Sequence, residues 1–206
     1  MLKHQRQFWD MPNRIVLLIG GYGSGKTYIG ALKSLYMSYL NSPVPGMYIS
    51  PSHQLATKTI IVTLKELCQR ADIDYTYNQQ RSEFTFHNWG GTIWLGSGDK
   101  PDSLRGPNIG WAVIDEPFIQ KREVFEQMIA RVRHPEAKKS QIFLTGTPES
   151  LNWGWVIAND PNMDIGTIQA STLDNPHLPD DYKESLLQAY SEEQIDAYVH
   201  GKFVNL

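Results

Sequence analysis

The segment Gly20-Gly21-Tyr22-Gly23-Ser24-Gly25-Lys26-Thr27 fits G-x-x-x-x-G-K-[ST] at every fixed position, and it joins two runs of different period. Ahead of it, Arg14 to Ile19 reads RIVLLI, a short continuous apolar run rich in branched residues that predicts a buried parallel strand. Behind it, Ile29, Leu32, Leu35, Tyr36 and Tyr39 recur at helical spacing until NSPVPG stops the helix. A strand, a glycine loop and a helix in that order restrict the chain to an α/β fold with the loop at the end of a strand. There the glycines let backbone N–H groups turn inward around phosphate oxygens, Lys26 brings a positive charge to β and γ phosphates, and Thr27 offers a hydroxyl to Mg²⁺.

The pattern then repeats. Met47 to Ile49 predicts a second strand, followed by SPSHQLA and a helix to about Arg70. SEFTFH and TIWLG, joined by NWGG, predict an antiparallel hairpin, expected at the periphery. Trp111 to Ile114 ends in Asp115-Glu116-Pro117, and Gln141 to Leu144 ends in Thr145-Gly146-Thr147-Pro148, two buried strands with polar tips. In open α/β sheets ligands bind beyond the carboxyl ends of the strands, which is where the glycine loop, the carboxylates and the hydroxyls are expected to meet. Beyond Ser150 come two tryptophans, one strand (Asp164 to Ala170) and helical stretches at 179–190 and 191–200. The expected division is a core over 1–150 and a small C-terminal lid over 151–206.

Composition narrows the possibilities. The 206 residues are 41% hydrophobic with a net charge of −3, and a nucleic-acid-coating domain would carry a basic excess. Any DNA contact is therefore local, with Arg131, Arg133, Lys138 and Lys139 as candidates, although a solvated helix end explains them equally well. The single cysteine, Cys68, cannot form an internal disulfide, and the histidines are not spaced as zinc ligands. The absence of a long apolar run or a signal-like start predicts a soluble, intracellular protein without a membrane partner.

Asp115, at the end of a hydrophobic strand, is placed as a Mg²⁺-side carboxylate, and the adjacent Glu116 as the general base that polarises the attacking water. Thr145 and Thr147 sit where hydroxyls can sense a γ phosphate, or they form an ordinary strand-ending turn. Arg105, in Ser103-Leu104-Arg105-Gly106-Pro107, reads equally as an arginine finger or as one half of a surface ion pair.

Taken together, these residues resemble the ATPase domain of bacteriophage terminase large subunits. GGYGSGKT resembles that family's phosphate loop, ISPSHQLA the segment after its second strand, and PDSLRGPNIGWAVIDEP its arginine loop and second carboxylate motif. TGTP resembles its coupling motif, and TLDNPHLP with HGKFVNL its closing segments. The resemblance implies a P-loop NTPase fold of the RecA-like, ASCE type, with a mainly parallel sheet flanked by helices. It also implies that ATP and Mg²⁺ are bound through Gly21, Gly23, Ser24, Gly25, Lys26 and Thr27, with metal at Thr27 and Asp115. Glu116, Lys26 and Arg105 would act in catalysis, Arg105 on a neighbouring subunit's ATP. Thr145, Gly146 and Thr147 would couple hydrolysis to motion, and Gln5 would read adenine.

The implied function is ATP-driven translocation of double-stranded DNA into a procapsid in the host cytoplasm, by a homo-oligomeric ring working with a terminase small subunit. Two departures stand out: many relatives carry arginine where this loop has Tyr22, and the family's nuclease domain is not in the sequence, so no DNA cleavage is expected. Alternatives are a superfamily 2 helicase fragment, disfavoured because DEP is neither DEAD nor DEAH, and a nucleotide-binding assembly subunit without turnover, disfavoured by Glu116.

Overall fold

A computed structural model describes residues 1–106 and 108–206; Pro107 of the arginine loop lies outside them. In chain order the elements are α1 (Lys3–Asp10), β1 (Ile15–Gly20), α2 (Lys26–Asn41), β2 (Gly46–Ser50), α3 (His53–Lys58), α4 (Ile60–Arg70), β3 (Tyr75–Asn78), β4 (Glu83–Phe86) and β5 (Gly91–Ser97). They continue with β6 (Trp111–Asp115), α5 (Arg122–Arg131), β7 (Gln141–Gly146), α6 (Trp153–Ala158), β8 (Ile165–Ala170), α7 (Asp180–Ala189) and α8 (Glu192–Tyr198).

The described strands form one eight-stranded sheet in the order β3-β4-β5-β2-β6-β7-β1-β8. From β5 to β8 neighbouring strands are parallel; the β3–β4 and β4–β5 pairs are antiparallel, so β4 alone runs against the others. This is the mainly parallel, helix-flanked sheet that the sequence predicts. Both faces of its centre are covered, which is why β1 reads as an unbroken apolar run. Val16 and Leu18 enter the core beside α2, whereas Ile15, Leu17 and Ile19 enter the core beside α5. Each such aliphatic side chain contributes roughly 1.5–3 kcal/mol on burial.

Two expectations are corrected. The hairpin lies toward one end of the sheet but is not a separate appendage: its second strand, β5, pairs in parallel with β2 (Tyr48 opposite Leu95), so the hairpin prolongs the central sheet. The strand assigned to the lid, β8, pairs with β1 along its whole length, from Ile15 opposite Ile165 to Gly20 opposite Ala170. As an edge strand, β8 is alternately buried and exposed, unlike the fully buried β1 beside it. Helix α1 and strand β3 were not foreseen; α1 buries His4, Gln5 and Phe8.

Parallel order brings the carboxyl ends of β1, β2, β6 and β7 to one edge. Arg131 ends α5, and Arg133, Lys138 and Lys139 lie between it and the start of β7, at the opposite edge. Among the described residues no helix is long and apolar enough to cross a membrane.

Candidate functional site

The phosphate loop follows β1 and opens α2, as its motif requires. Gly23 and Gly25 have φ values of +71° and +84°, which a side chain would strain, and Gly25 caps α2 in the left-handed conformation. The first turn of α2 leaves its N–H groups without intrahelical acceptors and aims the positive end of the helix dipole at the loop. Ser24 is fully buried, and its hydroxyl closes the loop by donating to the Gly21 carbonyl at 2.7 Å.

Lys26 is buried and folds over the loop, its Nζ donating to the Gly20 and Gly21 carbonyls at 2.9 Å each. Among the described residues it has no carboxylate within ion-pair distance. Burial lowers its pKa, and the charges of Glu116 and Asp115 partly oppose that fall.

Asp115 ends β6 opposite Thr145 of β7, whose hydroxyl donates to Oδ1 at 2.9 Å. Burial, aided by the neighbouring Glu116 charge, pushes Asp115 up to about 7, against the pull of Thr145, Lys26 and Tyr48. Gln120 holds the same strand end by donating to the Asp115 carbonyl at 2.6 Å. Glu116 turns away from the strand in the left-handed region (φ 46°), and its carboxylate accepts the Thr147 N–H at 3.0 Å. Its pKa is raised, mainly by burial. Gly146 must be small, because a Cβ there would come within 2.7 Å of Pro117.

A cavity of about 280 Å³ lies between these parts, lined by Tyr22, Gly23, Gly25, Lys26, Thr27, Tyr28 and Glu116. A second, of about 400 Å³, shares Gly25 and Tyr28 and is lined also by Leu2, Gln5, Arg70, Asn175 and His177. Gln5 therefore stands at the loop, donating to the Gly25 carbonyl at 3.2 Å and accepting the Leu2 N–H at 2.8 Å. His4 secures the same helix by donating to the Ser24 carbonyl at 2.8 Å.

The donor set fits a triphosphate with Mg²⁺ on three observations. A buried ammonium rests on carbonyls alone, the glycines hold the loop open for backbone donors, and the buried Thr147 hydroxyl lacks a hydrogen-bond partner among the described residues. Thr27 and Asp115 are the residues that could hold the metal, both at the carboxyl edge of the sheet.

Arg105 is not brought to this loop. It is exposed, pairs with Asp102 at 3.1 Å, and follows a 3-10 turn (Pro101–Leu104) whose Leu104 packs in the core on the α5 face. Arg105 lines neither of the two cavities beside the phosphate loop.

The closing segment grips the loop from outside, which sequence reasoning did not derive. Thr172 Oγ1 donates to the Tyr22 carbonyl at 2.7 Å, Asn175 Nδ2 to the Gly23 carbonyl at 2.7 Å, and the Tyr22 N–H to the Tyr198 carbonyl at 2.7 Å. The Tyr22 and Tyr198 rings stack with centroids 5.0 Å apart. Burial, with Tyr198 and Glu149 nearby, pushes the Tyr22 phenol up to about 12, so this position supplies no charge at neutral pH. The only sequence signal for the grip was the likeness of TLDNPHLP to a family segment.

Known proteins share this fold. The PBSX phage terminase large subunit of Bacillus subtilis (strain 168) is 30% identical over 139 residues, covering 66% of this chain and 32% of its own length. The large terminase of a thermophilic bacteriophage, in complex with ADP, superposes with a TM-score of 0.86 at 16% identity, over 98% of this chain and 53% of that one. The complex of the same terminase with ATP-gamma-S gives 0.85 at the same identity and coverage. The large terminase ATPase domain of Thermus phage P74-26 gives 0.72 at 14% identity, over 97% of this chain and 92% of that one. The chain thus spans about half of one large terminase and a third of another. The family model for the terminase large subunit, T4likevirus-type, N-terminal, matches residues 17–205, and the chain belongs to that family.

Proposed function

We propose that this chain is the ATP-hydrolysing motor region of a terminase, and that its turnover drives double-stranded DNA into a procapsid. The observation that carries the reading is the 280 Å³ cavity in which Glu116 faces Lys26 and Thr27 of the phosphate loop. A nucleotide-binding subunit without turnover has no use for a second carboxylate there.

In this reading the loop N–H groups and Lys26 hold the phosphates of ATP, and Thr27 and Asp115 hold Mg²⁺. The metal would supply charge neutralisation at the β and γ oxygens. Glu116, whose raised pKa suits a group that takes up a proton, orients water and accepts its proton. The base of ATP occupies the cavity beside Gln5. Thr145, Gly146 and Thr147 carry the change at the γ position to β7, since Thr145 bonds Asp115 and Thr147 bonds Glu116.

With β8 assigned to the core, the lid reduces to the segments around it, chiefly 172–206. No nuclease activity is expected of this region. Partners would be DNA, further copies in a ring and a small subunit, in the cytoplasm of an infected host; Arg131, Arg133, Lys138 and Lys139 are candidate DNA contacts.

Arg105 is exposed and lines neither cavity at its own phosphate loop, which supports action on a neighbouring subunit. The test is steady-state ATP hydrolysis against protein concentration, with Arg105→Ala, Glu116→Gln and their equimolar mixture. Specific activity that rises with concentration, and a mixture that regains turnover neither variant has, are expected. A flat profile and a dead mixture would confine the protein to an ATPase without a shared site.

A further inference from the structure

Strand β2 carries Tyr48 into the face of the sheet covered by α2. Tyr48 is 0% exposed, and among the described residues its hydroxyl has no completed hydrogen bond. A phenylalanine would fill the same space without desolvating a hydroxyl, so a tyrosine here is costly unless the hydroxyl is used.

The register shows what the hydroxyl meets. Tyr48 lies opposite Val113 on β6, and Asp115, two residues further, points to the same face. Thr145 lies opposite Asp115 on β7 and donates to Oδ1 at 2.9 Å. Above them runs α2, where Gly30 leaves room: a Cβ at Gly30 would sit 3.6 Å from the Tyr48 hydroxyl and 3.6 Å from Thr145 Oγ1. The two hydroxyls therefore lie together beneath the helix that begins with Lys26 and Thr27, and both act on the Asp115 carboxylate, drawing its pKa down. Thr145 donates at full hydrogen-bond distance; the Tyr48 hydroxyl stands close enough to stabilise the Asp115 carboxylate, with no other acceptor among the described residues.

We propose that Tyr48 is a positioning residue for the divalent cation, acting through Asp115: its hydroxyl donates to the carboxylate and fixes the rotation at which Asp115 meets the metal. The inference rests on the reading of the site as a Mg²⁺-dependent ATPase. Carboxylate ligands are commonly steadied by such outer hydrogen bonds, and their loss typically weakens metal affinity by about 10- to 100-fold.

The test is Mn²⁺ binding, followed by electron paramagnetic resonance, to wild type and Tyr48→Phe in the presence of ADP, with melting temperature recorded alongside. The expected result is a Mn²⁺ dissociation constant raised about tenfold in the variant. Metal-free ADP affinity and melting temperature would not fall. An unchanged Mn²⁺ affinity would overturn the inference and leave the hydroxyl as an unused core group, with the ATPase reading intact. If wild type itself took up no Mn²⁺ with ADP, the ATPase reading would fail as well, so the two failures are distinguishable.

Discussion

The Glu116 carboxylate accepts the Thr147 N–H at 3.0 Å while the Glu116 N–H donates to the Thr145 carbonyl at 2.7 Å, so two bonds lock the tip of β6 to the tip of β7. They hold a non-glycine residue at φ 46°, a conformation that costs roughly 1–3 kcal/mol and persists only where its surroundings enforce it. Glu116, the proposed base, and the segment proposed to sense the γ position are thus one mechanical unit.

Glu116→Gln keeps an oxygen for the Thr147 N–H and removes the proton acceptor. Its turnover should fall by about 10²- to 10⁴-fold, the usual worth of a general base. ATP affinity should stay within about threefold and stability within about 0.5 kcal/mol, as for a substitution that preserves its contacts. Single-turnover hydrolysis and equilibrium nucleotide binding measure both. Wild-type turnover in the variant would strip Glu116 of the role.

Gly21→Ala tests the grip on the phosphate loop. A Cβ at Gly21 would fall 2.3 Å from Thr172 Oγ1 and 2.3 Å from the Val199 carbonyl, distances no packing tolerates. The closing segment must move away, at a cost of about 1–3 kcal/mol typical of overpacking. Urea denaturation should report that loss, and limited proteolysis should cut 172–206 faster than in wild type. Unchanged cleavage would mean that the segment is not held by the loop.

Lys33 gives a pH signature. It is 1% exposed, donates to the Trp9 carbonyl at 2.6 Å, and lies 4.7 Å from the centre of the Trp9 ring, with no ion-pair partner among the described residues. Burial, with Lys139 adding repulsion, lowers it to about 8. Between about 8 and the ordinary lysine value the unfolded chain holds the proton that the folded chain has released, so stability rises with pH across that window. Relative to Lys33→Met, wild type should gain up to about 1.4 kcal/mol per pH unit there. Parallel stability curves for the two proteins would show that Lys33 keeps its proton.

The sequence by itself determined the phosphate loop, the strands β1, β2, β6 and β7, and the residues at their tips. Those features are local: a fixed glycine spacing, a run that is apolar on both faces, and a polar residue where the run ends. It could not assign β5 and β8 to the central sheet. An edge strand and a hairpin strand look alike whether they stand alone or pair with a neighbour, and pairing is a long-range hydrogen-bond choice.

Nor did it expose Tyr48, which reads as one more aromatic in a buried strand until the register sets it beside Asp115. Only the tertiary structure decided that Arg105 stands apart from its own phosphate loop, that Thr172 and Asn175 hold that loop's carbonyls, and that Glu116 is tied to Thr147. Each of these joins residues distant in sequence, and their meeting follows from strand order rather than from any spacing along the chain.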